Sequence, residues 1–255
     1  MAQYQIDLNS DIGESFGLYT MGLDEDVLKV ITSANVACGY HAGDHNTMYE
    51  TVQTAKANGV GIGAHPGLPD LQGFGRRQIA VSPKDVYRFV AYQIGALNGF
   101  CRVHNVEMSH VKAHGALYHM AVNDPAIAAA VAQAVKDVDP KLILFGLSGS
   151  ELLRAGKNHG LSTASEVFAD RTYQPDGTLT PRSEQQAMIS DSDEAVKQVL
   201  QMIQEKVVTA VDGSTVAIEA DTVCVHGDHP RALKFVQHLR SRLNEEGIVI
   251  KRVGA

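Results

Sequence analysis

Short runs rich in β-branched and small apolar residues alternate with longer amphipathic runs along almost the whole chain, and this alternation most restricts the fold. Segments of strand and helix length in strict succession bury their apolar faces together as βα units around a parallel sheet. Strands are predicted at Tyr4 to Asn9, Ala34 to Cys38, Val60 to Ala64, Ser109 to Ala113, Leu142 to Phe145, Ser162 to Val167 and Thr222 to Val225. Helices are predicted at Asp24 to Thr32, Asn46 to Ala57, Pro83 to His104, Pro125 to Val138, Gly149 to His159, Asp193 to Lys206 and Pro230 to Glu246. Ser82-Pro83, Asn123-Asp124-Pro125 and His229-Pro230 supply caps and first-turn prolines for three of them. The fold class is therefore α/β, a (β/α) barrel.

Two segments interrupt the rhythm: a Pro- and Gly-containing excursion at about 170–190, of the kind that lines a site, and a β-hairpin at about 207–219 turning on Asp212-Gly213. No repeat or linker divides the 255 residues, so residues 1–255 read as one domain. With 44% hydrophobic residues the chain supports a sizeable core without staples. Its net charge of −7 and lack of a basic tract argue against a nucleic-acid partner. The N-terminal residues lack a secretory pattern, no stretch approaches the ~18 apolar residues of a membrane span, and Cys38, Cys101 and Cys224 form no paired motif. A cytoplasmic protein with free thiols and no membrane contact is the expectation.

Eleven histidines are the unusual feature of this composition. Barrel chemistry gathers where strands run into the loops that follow. Those positions hold Asn9 and Asp11, Tyr40 and His41, His65, Lys112 and His114, Glu166 and Asp170, and His226 and Asp228. Lys112 lies in the apolar run Val111-Lys112-Ala113, where an unpartnered ammonium is costly, so it is expected to meet a carboxylate or an anionic ligand. Lys112 and His114, two apart, share a face. His110 is assigned to the opposite, helix-facing side, and His104, His159 and His238 to structural or solvated roles.

His41 and His45 have a spacing that on a helical turn can hold a divalent metal with Asp11, although Gly43 between them disfavours a regular helix. Gly73-Phe-Gly-Arg-Arg77 suits an anion held by Arg76 and Arg77, or an arginine pair closing a turn onto Asp70. The glycines of Gly59-Val-Gly-Ile-Gly63 fall in a strand, and no Walker-type or G-x-S-x-G motif occurs, so the chain carries no nucleotide motif of its own.

The segments Asp7 to Glu14, Ser33 to Asp44, Gly63 to Gly67 with Asp70 to Arg77, Lys112 to Tyr118, Ser165 to Arg171 and Val225 to Asp228, in this order, resemble the LamB/YcsF family. The resemblance implies a distorted, seven-stranded parallel barrel of the glycoside hydrolase/deacetylase type. It further implies hydrolysis of 5-oxoproline (pyroglutamate) to L-glutamate, coupled to ATP hydrolysis in a complex with B and C subunits. On that basis Asp11, His41, His65, Lys112 and His114 are the expected catalytic residues, and Asn9, Arg76, Glu166, His226 and Asp228 the expected substrate contacts. ATP would act at the level of the complex. The alternatives are a stand-alone metal-dependent amidase or deacetylase using Asp11, His41 and His45, and a non-catalytic subunit that presents substrate.

Overall fold

The first strand, β1 (Gln5–Ile12), sets the plan of the molecule, because its odd-numbered side chains Asp7, Asn9 and Asp11 share one face while Ile6, Leu8 and Ile12 share the other. Both faces are buried, as in a barrel strand with packed side chains inside and helices outside. The computed structural model describes residues 4–226 and 230–255. After β1 come α1 (Asp24–Val27), β2 (Ser33–Ala37), α2 (His45–Ala57), β3 (Gly61–His65), α3 (Pro83–Val103), β4 (Met108–Lys112), α4 (Gly115–Asn123) and α5 (Pro125–Val138). The chain continues through β5 (Ile143–Leu147), α6 (Glu151–Asn158), β6 (Thr163–Phe168), α7 (Ser192–Gln204), β7 (Val207–Thr209), β8 (Thr215–Ala217), β9 (Thr222–Cys224), α8 (Pro230–Glu245) and β10 (Val249–Ile250).

Seven parallel strands pair in the order β1-β2-β3-β4-β5-β6-β9, and β9 returns to β1 to close the barrel. β10 adds in parallel beside the start of β1, and β7 and β8 form the separate antiparallel hairpin predicted around Asp212-Gly213. Closure aligns Asp7 with Thr222 and Asn9 with Cys224. The Asp7 carboxylate accepts hydrogen bonds from Thr222 (2.5 Å), Thr32 (2.6 Å) and Ser33 (2.8 Å), tying β9, β1 and the start of β2 together at one buried point. Burial nevertheless pushes its carboxyl above the ordinary range against the pull of those hydroxyls.

Helix starts follow their capping residues. Asp44, Asp124 and Asp191 each accept two backbone N–H bonds at the head of α2, α5 and α7, and Ser82 and Ser150 cap α3 and α6. Among the described residues no helix is long and apolar enough to cross a membrane.

Three features depart from expectation. The helix predicted over Asp24 to Thr32 is only one turn long, since Thr32 is drawn to β1, its N–H donating to the Leu8 carbonyl. α4 and β10 lie outside the predicted elements: α4 begins at His114, which makes no side-chain cap, and β10 is two residues long. The assignment of His110 to the helix side is also corrected. It shares the parity of Lys112, lies inside the barrel, bonds through Nε2 to Asn35 Oδ1 at 2.8 Å and stacks on Phe145. A Cβ on Gly63 would overlap this ring, so the strand glycine makes room for it.

Candidate active site

At the C-terminal end of the barrel, the inward faces of β1, β4, β6 and β9 converge on the Lys112 ammonium. Its Nζ lies 2.8 Å from Glu166 Oε1, 3.0 Å from Asp11 Oδ1, 3.1 Å from Asn9 Oδ1 and 3.2 Å from Cys224 Sγ. Burial disfavours the ammonium, but Asp11, Cys224 and Glu166 outweigh it and hold its pKa well above the ordinary lysine value. The same balance works on Asp11: burial opposes ionisation, and His65 and Lys112 overcome it, so the carboxyl stays well below the usual range. Asn35 supports the group from β2, donating to Asn9 Oδ1 at 2.8 Å and Asp11 Oδ1 at 2.9 Å. Burial and the neighbouring Glu166 carboxylate push the Tyr118 phenol far above its ordinary value, so it stays protonated.

Beside this cation sits a histidine cluster. His41 follows β2, His65 ends β3 and His114 follows β4, each almost completely buried. With Glu14, from the turn after β1, their donor atoms fall within 4.8 Å of one another and can hold a metal ion. Burial lowers the pKa of His41 well below the ordinary imidazole value and that of His114 to about 3. Gly75 lets the turn pass close over the cluster: its φ is +61°, and a Cβ there would press on His41 and His114.

Above these groups opens a cavity of about 710 Å³, walled by Asp11, Glu14, Lys112, His114, Arg76 and His226, with residues 178–182 of the long excursion on the far side. The excursion is pinned at its base. Arg171 donates to the carbonyls of Ala187 (3.2 Å) and Thr180 (2.5 Å), Gln198 donates to those of Phe168 and Arg171, and the Tyr173 hydroxyl accepts from Phe168 N–H at 2.8 Å.

Residues 6–255 match the LamB/YcsF family. The chain belongs to that family. A protein from Halalkalibacterium halodurans, named as the A subunit of 5-oxoprolinase, is 62% identical over 249 residues, 98% of this chain and 97% of that protein. One of the same name from Bacillus subtilis is 56% identical over 250 residues, again 98% and 97%. The crystal structure of a lactam utilization protein from Thermus thermophilus superposes with a TM-score of 0.92 at 43% identity, covering 97% of this chain and 99% of that one. A T48 deacetylase, at 14% identity and a TM-score of 0.50, shares the fold alone.

In this LamB/YcsF chain the residues singled out from the sequence separate into layers. Asp11, His65, Lys112, His114, Arg76 and His226 reach the cavity, whereas Asn9, His41 and Glu166 lie beneath it and act on those that do. His226 bonds through Nδ1 to Asp170 Oδ2 at 2.8 Å. Asp228 lies outside the described residues. The arginine pair divides: Arg77 closes onto Asp70, and Arg76 stacks over Phe74, 5.0 Å from the ring centroid, at the cavity wall. A metal set built on His45 is overturned, because His45 opens α2 with its side chain exposed and is absent from the histidine cluster. Gly43, with φ of +77°, breaks the helical turn that would have brought it beside His41.

Sequence reasoning passes over Glu14, Asn35, Tyr118 and Cys224 as members of the site. Glu14 carries a usable signal, three residues beyond Asp11 and just past the Gly13 turn. The other three enter through strand register or through α4, which has no mark in the sequence.

Proposed function

We propose that the chain is the A subunit of an ATP-hydrolysing 5-oxoprolinase and that its cavity is where the lactam is opened to L-glutamate. The near-full-length likeness to proteins named as the A subunit of 5-oxoprolinase carries this reading. A lactam carbonyl resists attack because the ring nitrogen donates into it, and phosphorylation of the amide oxygen relieves that resistance. In this scheme the partner B and C subunits carry out the activation with ATP and this chain opens the ring, a division of labour in keeping with the lack of a Walker-type motif in its sequence. Three free cysteines suit a cytoplasmic location for the complex.

Lys112, held charged by Asp11 and Glu166, faces the developing oxyanion. Asp11 has a side chain 21% exposed to the cavity and orients or deprotonates the attacking water. Arg76 and His226 bind the anionic substrate, with Asn9 and Glu166 fixing Lys112 from below. Asp228 completes the substrate contacts in this scheme. One water adds to the carbonyl carbon, the C–N bond breaks and the nitrogen leaves as an amine, taking up the proton that Asp11 removed from that water. A second water releases the phosphoryl group as phosphate.

The test is reconstitution: mix this chain, the B and C subunits, ATP and 5-oxoproline, and measure glutamate with each component omitted in turn. Glutamate appears only in the full mixture, and Asp11→Asn or Lys112→Ala lowers turnover at least 100-fold, on the order of what a positioned acid–base or oxyanion group contributes. Glutamate release by this chain alone, or wild-type turnover in both variants, overturns the scheme. The Glu14 and histidine cluster favours one second reading, a metal-dependent amidase acting alone, for which activity without partners and its loss on chelation are the signature.

A further inference from the structure

Two histidines at the cavity floor are fixed in tautomers that leave their facing nitrogens without a donor between them. Nδ1 of His65 lies 2.7 Å from the Lys112 carbonyl oxygen, and Nε2 of His114 lies 2.8 Å from the Phe74 carbonyl oxygen. A carbonyl oxygen only accepts, so each of those nitrogens carries its ring's proton. The remaining nitrogens, His65 Nε2 and His114 Nδ1, sit 3.0 Å apart, and in neutral rings each presents a lone pair. Two carboxylates border the same space: Glu14 Oε1 is 3.6 Å from His114 Nδ1, and Asp11 Oδ2 is 3.3 Å from His65 Nε2. One proton between the rings satisfies a single contact, whereas a divalent cation draws on all of these donors. Anchoring each ring through its other nitrogen to a backbone carbonyl is the way metal-binding histidines are held in orientation.

We propose that His65 Nε2, His114 Nδ1 and the Glu14 carboxylate bind one divalent transition-metal ion, with Asp11 facing it from the Lys112 side, and that His41 is a positioning residue and not a ligand. The exclusion of His41 is geometric. Its ring stacks on His114, with centroids 3.6 Å apart and planes within 3°. An ion in the plane of the His114 ring therefore lies off the plane of His41, where that ring's lone pairs do not point. His65 meets His114 at 88°, so the line where their planes cross is open to both. His41 Nε2 lies instead 3.2 Å from Glu14 Oε1, donates to it and sets the direction of the carboxylate.

Two imidazoles with carboxylates select Zn²⁺, Co²⁺ or Mn²⁺ over the all-oxygen preference of Mg²⁺ and Ca²⁺. When bound, such an ion supplies Lewis-acid polarisation beside the cavity. The inference goes beyond the 5-oxoprolinase reading and holds whatever the substrate is.

The test uses the full chain, stripped with chelator, titrated with Zn²⁺ by calorimetry and with Co²⁺ by visible absorption. One ion per chain is expected. His65→Ala and His114→Ala each weaken affinity more than 100-fold, while His41→Ala still takes one ion with affinity about 10- to 100-fold weaker, the usual effect of losing a supporting partner. Circular dichroism checks each variant's fold, and His114→Gln replaces His114→Ala if the latter does not fold. No stoichiometric ion in the wild type, unchanged affinity in the His65 and His114 variants, or a loss in His41→Ala equal to theirs overturns the proposal.

Discussion

Lys112 shows how a single residue binds the site to the stability of the barrel. Removing the ammonium leaves the fully buried Glu166 carboxylate with no counter-charge and Asp11 with His65 alone beside it, so Lys112→Met is expected to destabilise the fold by about 3–5 kcal/mol, read as a lower urea midpoint. His110 gives a pH prediction. Burial pushes its imidazole down to about 3, with Lys112 adding repulsion, against about 6.5 in the unfolded chain. Between those values the unfolded chain binds a proton that the folded chain refuses. The group's contribution is therefore intact above about pH 6.5 and lost as pH falls through the window, by up to about 1.4 kcal/mol per unit. Urea unfolding at about pH 7 and about pH 5 should show a shallower loss in His110→Gln than in the wild type. At this scale Lys112 was legible because a charge inside an apolar run demands a partner. Asn35 and Cys224 were not, because a short polar side chain in a strand reveals its role only once register sets it beside Asn9 and Lys112.

At the scale of elements, caps and prolines carried most of the information. α5, over Pro125–Val138, matches the range read from the sequence, because Asp124 and Pro125 mark its start. Asp124→Ala should lower stability by about 1 kcal/mol in thermal or urea unfolding, the usual cost of a lost N-cap. α4 lacks such a mark and escapes sequence reading, although it separates the His114 turn from α5. Gly63→Ala, by contrast, forces its new methyl onto the His110 ring. It should cost about 1–3 kcal/mol, as overpacked cores do, visible as a lowered melting temperature.

For the whole molecule, the decisive contact joins the two ends of the sequence. β9 pairs with β1 across more than two hundred residues, and the Asp7–Thr222 hydrogen bond sits on that seam. A chain truncated after residue 221 loses the closing strand and exposes Asn9 and Asp11 to water. It should unfold without a cooperative transition, with amide exchange in β1 as fast as in loops. The βα alternation made the barrel legible from the sequence. The layering of the site was not, since which strand-end residue reaches the cavity and which supports another depends on the barrel's closed curvature.

The excursion between β6 and α7 is held by bonds to backbone carbonyls at its base, from Arg171 and Gln198, and by the buried Tyr173. Its tip, residues 176–182, contributes side chains to the cavity without bearing the weight of the barrel. A substitution at the tip can thus reshape the cavity wall at little risk to the barrel, whereas one at the floor disturbs groups that also tie the strands together.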